Sequence, residues 1–143
     1  MEEELFGHPE VDSTLGEQRL ADPMHESSLS APMRWLMSHA SQGTWRTECV
    51  GFGINSMTGC FEAACLTIIE DDAWWDQFGG SIQANWETEG LRRYSSLNQE
   101  LLANLIKDPA WSNEGLFAFL QGLRRLEEVG GSRVNLPSIE LET

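Results

Sequence analysis

A cysteine thiolate served by an imidazole and oriented by a carboxylate is the most reactive centre this chain could assemble. Cys60 or Cys65, with His39 and Glu62, are the residues that would form it. Cys60 would gain thiolate character at a helix N-terminus, where backbone N–H groups favour the anion. Cys65 falls instead on an apolar stripe, where cysteine behaves as a small hydrophobe. The stripe favours structural thiols, so no catalytic residue is assigned and the chain is expected not to be an enzyme. A thiol-dependent hydrolase is the competing enzyme reading.

A metal centre drawn from His39, Cys49, Cys60 and Cys65 fails on spacing, because no pair shows the two-to-four-residue gap of a structural zinc site. On a helix, Cys60 and Cys65 would also point about 140° apart. His8 and His25 sit among polar residues and read as solvated. The stretch Gly51–Gly59 holds three glycines ahead of an expected helix, yet it matches neither the dinucleotide fingerprint nor the lysine-bearing phosphate loop. Glu70, Asp71, Asp72 and Asp76 lack the alternating oxygen-ligand spacing of a calcium loop and read as a helix cap with a solvated face. No metal and no cofactor is expected.

Aromatic residues carry the strongest functional hint. The chain has six tryptophans, and the adjacent Trp74 and Trp75 would project about 100° apart on a helix. Trp75 fits the apolar stripe and Trp74 does not. Trp74, Trp45 and Trp86 are therefore expected as exposed anchors for a protein partner.

The elements that must position these groups follow from periodicity. Over residues 58–79, Phe61, Ala64, Cys65, Ile68, Ile69 and Trp75 recur at helical spacing, with Thr58 and Gly79 at the ends. Asp72 would sit on that apolar face at a cost, so the helix is expected to break near Asp71, with Asp71 or Asp72 capping a second short helix. Ser30 and Pro32 open a helix over 31–40. Leu91, Tyr94, Leu97, Leu101, Leu102 and Leu105 form a further stripe, which Asp108-Pro109 stops. Ser112 caps a last helix faced by Leu116, Phe119, Leu120, Leu123 and Leu126 and closed by Gly130-Gly131.

Residues 45–54 alternate Val50, Phe52 and Ile54 with Gly51, Gly53 and Asn55, which is a strand period. A hairpin joining them to 60–69 through Asn55–Gly59 competes with the helix over 58–79. The helical stripe is the longer match and is preferred, leaving 45–54 as a single strand or an irregular link. The expected fold is mainly α, a compact bundle of about four to five helices with extended N- and C-terminal arms and one short β segment at most, around 45–54.

Three regions are drawn: an acidic extended arm over 1–30, a helical globular domain over 31–131, and an extended tail over 132–143. The first 30 residues carry eight acids against Arg19, a charge of −7, half of the chain's −14. Leu5 and Phe6 in the arm, and Leu136, Ile139 and Leu141 in the tail, are spaced large apolars expected to dock on something. Acidity argues against direct nucleic-acid contact, which needs clustered Lys and Arg. No run is apolar enough to span a bilayer, and Met-Glu-Glu-Glu-Leu-Phe does not open a signal peptide. Three cysteines make an odd count that suits reduced thiols.

The expected function is a non-enzymatic protein–protein interaction or structural assembly component, docking through its arms and exposed aromatics on a protein partner or neighbouring subunits. It is placed in the cytoplasm or in a larger intracellular or viral assembly such as a virion, with self-association left open. An acidic inhibitor that mimics nucleic acid toward a basic partner is the competing binding function.

Overall fold

The computed structural model describes residues 29–82 and 93–139. Among them are four α-helices and one two-stranded antiparallel sheet: α1 (Ala31–Ser38), β1 (Trp45–Ile54), β2 (Phe61–Ile69), α2 (Asp72–Phe78), α3 (Gln99–Ile106) and α4 (Asn113–Gly130). This is an α/β mix and corrects the expected mainly-α bundle. Residues 61–69 form a strand, and they pair with 45–54 in the hairpin that the helical stripe had outcompeted.

The described residues divide into two compact units, 29–46 with 69–82 and 47–68 with 93–139. In the first unit, Ser30 caps α1 by accepting from the Met33 amide, and Pro32 lies in the first turn, where its missing N–H costs nothing. Asp71 caps α2, its carboxylate accepting from Trp74 N at 2.8 Å. Asp71 caps a short helix as expected, but no helix breaks there: the residues before it are the strand β2, so Asp72 lies on no apolar stripe shared with Phe61. Leu29, Met33, Leu36, Trp74 and Phe78 form the buried core, with Trp35, Trp45, Ile69 and Ile82 packed around it. Three indoles are satisfied as they enter it: Trp74 Nε1 donates to Pro32 O at 3.1 Å, Trp45 Nε1 to Leu36 O at 2.6 Å, and Trp35 Nε1 to Asp71 Oδ2 at 3.0 Å.

In the second unit, Asn98 caps α3 and Ser112 caps α4. Leu102 of α3 and Leu123 of α4 form the buried core together with Leu136, with Ile106, Phe119, Leu126, Val134 and Ile139 around them. The C-terminal stretch is pinned by backbone as well as side chains. Asn135 N donates to Ser96 O at 2.7 Å, and Gln99 Nε2 donates to Leu136 O at 3.1 Å. Leu136 and Pro137 are thus buried within their own unit, with Val134 and Ile139 packed beside Leu136.

The hairpin turn is closed by Asn55 N donating to Cys60 O and by Gly59 N donating to Asn55 O. Gly59 takes a φ of 72°, a left-handed conformation that glycine adopts without steric cost. At the far end Glu70 N donates to Thr44 O, and the Thr47 and Thr67 hydroxyls lie 2.9 Å apart. Eight steps along β1 separate Thr47 from Asn55, but only seven along β2 separate Cys60 from Thr67, so β1 carries one extra residue. Exposure locates it: outward positions are Thr47 and Cys49 before, then Phe52 and Ile54 after, with Val50 and Gly51 both turned inward opposite the buried Ala64. This is a β-bulge. Gly51 at the bulge lets α4 approach closely, since a β-carbon there would lie 2.7 Å from Gln121 Cγ.

Candidate docking face

The bulge and the pleat together sort the hairpin's side chains into two faces. Inward go the polar and charged groups that meet α4. Glu48 accepts from Arg125 Nε at 2.6 Å, Arg125 also donates to Glu128 at 2.8 Å, and Asn55 donates to Glu114. Two open clefts lie on this side. One, of about 320 Å³, is lined by Gly53, Asn55, Glu62, Asn113, Glu114 and Phe117 and reaches Ile54 at its edge; the other, of about 330 Å³, runs along the Glu48–Arg125–Glu128 network and reaches Cys49. The second is filled by mutually compensated charge. The first offers carboxylates and amides but no thiol or imidazole.

Outward go Cys49, Phe52, Ile54, Phe61, Ala63 and Cys65, with Thr47 and Thr67 at the base. Among the described residues of the hairpin, no charged side chain shares this face. Phe52 and Phe61 are each 68% exposed, Ile54 is 63% exposed, and Met57 in the turn is 83% exposed. The two phenyl rings stack at 5.7 Å between centroids with 17° between their planes. Stacking holds both rings as one apolar plate that water still touches. Together these side chains make an exposed apolar cluster on one face of the hairpin.

The groups singled out from sequence fall differently. Trp74 is buried at 1%, whereas its neighbour Trp75 is 53% exposed, the reverse of the expected assignment. Because α2 starts afresh at Asp72, Trp74 and Phe78 form its inward i, i+4 pair. Trp45 is half-buried against the first unit's core. Leu136 is buried and Ile139 packs against it in the second unit's core. Leu5, Phe6, Trp86 and Leu141 lie outside the described residues. Sequence reading noticed Phe52 and Ile54 only as strand alternation; pairing that alternation with Phe61 across Asn55–Gly59 would have found the face.

For thiol chemistry, the structure supplies other partners than those needed. His39 stacks on Trp35 at 4.7 Å, and its Nδ1 lies 2.8 Å from Trp35 O. The thiols of Cys49 and Cys60 face the carbonyls of Gly51 and Thr58. Cys60 leads into β2, so the helix N-terminus expected beside it is not there. Among the described residues, no group of three or more His, Cys, Asp or Glu is placed to hold a metal ion. The carboxyl of Asp71 is held below the usual carboxylate range, first by the Trp74 amide and then by the Trp35 indole; both partners mark it as a structural cap.

The chain matches no family model, no curated protein and no solved structure. Function must therefore be argued from these residues. Among the described residues, no helix is long and apolar enough to cross a membrane.

Proposed function

We propose that this chain is a non-enzymatic interaction component that docks on a protein partner through the outward face of its hairpin. The observation that carries this reading is the uncharged plate of Phe52, Ile54 and Phe61, each more than 60% exposed, while the hairpin's glutamates are turned to the opposite side. Desolvating aromatic anchors at the centre of an interface is where binding energy concentrates. The chain's charge of −14 selects the rim: a partner whose apolar patch is bordered by Lys and Arg is attracted, and an acidic one is repelled. The reading places the chain in a reducing setting, the cytoplasm or a larger intracellular or viral assembly, in keeping with three free cysteines.

Peptides displayed as a random library and selected on the full chain test it. The expected consensus has bulky apolar residues flanked by Lys or Arg. Binding should weaken with salt and fall roughly tenfold in the Phe52→Ser/Phe61→Ser variant, the loss of about 1.4 kcal/mol. A consensus without apolar residues, or binding indifferent to both substitutions, sinks the reading. If the occupant is a second copy instead, light scattering will show a dimer that the double substitution returns to monomer.

A further inference from the structure

Antiparallel strands alternate hydrogen-bonded and non-hydrogen-bonded pairs, and one assigned pair fixes the rest. Glu70 N donates to Thr44 O at 2.6 Å, so Thr44 and Glu70 are a hydrogen-bonded pair. Counting inward along both strands, Trp45 with Ile69, Thr47 with Thr67, and Cys49 with Cys65 are non-hydrogen-bonded pairs. The Thr47–Thr67 hydroxyl contact confirms that register one pair away from the cysteines. The bulge starts only at Val50, after the cysteine pair. Cys49 and Cys65 therefore stand directly opposite each other on the outward face, both exposed and both free.

Non-hydrogen-bonded positions bring the two Cα atoms to about 4.5 Å, with the side chains closest there. Disulfides span Cα separations of roughly 4.4–6.8 Å. On that spacing the pair lies within bonding reach once the Cys49 thiol, which faces the Gly51 carbonyl at 3.6 Å, turns toward Cys65, but at the short end, where a bond is strained and more easily reduced. Cys60 is excluded from the pair because the turn sets it opposite Asn55.

We propose that Cys49 and Cys65 are a redox site that closes a reversible cross-strand disulfide when the chain meets a peroxide. One thiol is oxidised by peroxide to a sulfenic acid with release of water. The opposing thiol then attacks that sulfur, the S–S bond forms, and a second water leaves. In sum the two thiols lose two electrons and two protons, and the peroxide is reduced to two waters. A thiol such as glutathione reverses the step by exchange through a mixed disulfide. The site stands whether or not the face docks a partner.

The test is oxidation of the full chain with hydrogen peroxide, followed by thiol titration and non-reducing peptide mapping. Chymotryptic cleavage after Phe52 and Phe61 puts the three cysteines on separate peptides. The expected result is loss of two of the three thiols, a Cys49–Cys65 peptide pair, and recovery of all three thiols with reduced glutathione. Cys60→Ser should leave the bond intact, and Cys49→Ser or Cys65→Ser should abolish it. A bond mapped to Cys60, a chain-to-chain dimer, or three surviving thiols under conditions that oxidise a model dithiol overturns the proposal.

Discussion

Replacing Gly51 by alanine tests the close approach of α4 to the hairpin bulge. A β-carbon at Gly51 meets Gln121 Cγ at 2.7 Å, Gln121 Cδ at 3.1 Å and Phe117 Cζ at 3.2 Å. Gln121 is also engaged, accepting from Arg124 Nη1 at 3.3 Å. The methyl group must therefore displace the Gln121 stem and press on a ring beneath the bulge. Overpacking of this size costs about 1–3 kcal/mol. Gly53→Ala is the internal control, as its β-carbon meets Phe117 Cζ at an ordinary 3.4 Å; it should be neutral or gain about 0.4–1 kcal/mol from reduced unfolded-state entropy. Urea titrations followed by far-UV circular dichroism, with unchanged slopes, give both values. In a Gln121→Ala background the clash with Cγ is gone, so the cost of Gly51→Ala should shrink measurably. Gly51→Ala as stable as the parent, with no dependence on Gln121, would refute the placement of α4 against the bulge.

Other perturbations probe the two cores and the cap. Trp74→Ala should destabilise the first unit by about 3–5 kcal/mol by leaving a cavity, and Trp75→Ala, which removes a half-exposed ring, should cost clearly less; calorimetry on both variants reads the contrast. Leu136→Ala should cost about 2–5 kcal/mol and speed amide exchange in α3 and α4, whereas a free tail would show neither. The lowered pKa of Asp71 means that the folded state holds its charged form more firmly than the unfolded state does. That stability is present above the usual carboxylate range and is lost as pH falls through the folded-state value. Asp71→Asn, which can still cap, should therefore narrow the difference between neutral and acidic melting temperatures; an unchanged acid limb would show that the shift does not contribute.

Three helix starts were legible because their signals are local, whereas the stripe through Tyr94 and Leu97 becomes helical only at Gln99. Ser30, Asp71 and Ser112 each accept from an amide three residues on, and Asp108-Pro109 stops α3, all within a few residues of sequence. The strand β2 was not, because Phe61, Ala64, Cys65, Ile68 and Ile69 satisfy a helical period, whereas the strand divides them, Phe61, Cys65 and Ile69 on one side and Ala64 and Ile68 on the other. What decides between them is the partner strand and α4, neither of which is encoded in that window. The Trp74–Trp75 reversal follows from the same error, since a helix beginning at Asp72 need not keep the phase of a stripe begun at Phe61. Leu136 gave no local sign of burial, for its neighbours, Leu102 and Leu123, are far away in the chain. The apolar plate was half visible in Phe52 and Ile54, and only the register adds Phe61.

The chain leaves the first unit after Arg46 and re-enters it at Ile69, so that unit is assembled from two stretches separated by residues 47–68, all of the hairpin but its base. Its core cannot close until Trp45 and Ile69 are brought side by side, and zipping the strands from the Asn55–Gly59 turn is the short route to that encounter. A zipped hairpin replaces one long, entropically costly loop closure with a series of short ones. Maturation of the first unit is thereby made to wait on β1–β2 pairing, and substitutions that slow the turn will delay burial of Trp74, a residue with no part in the hairpin itself.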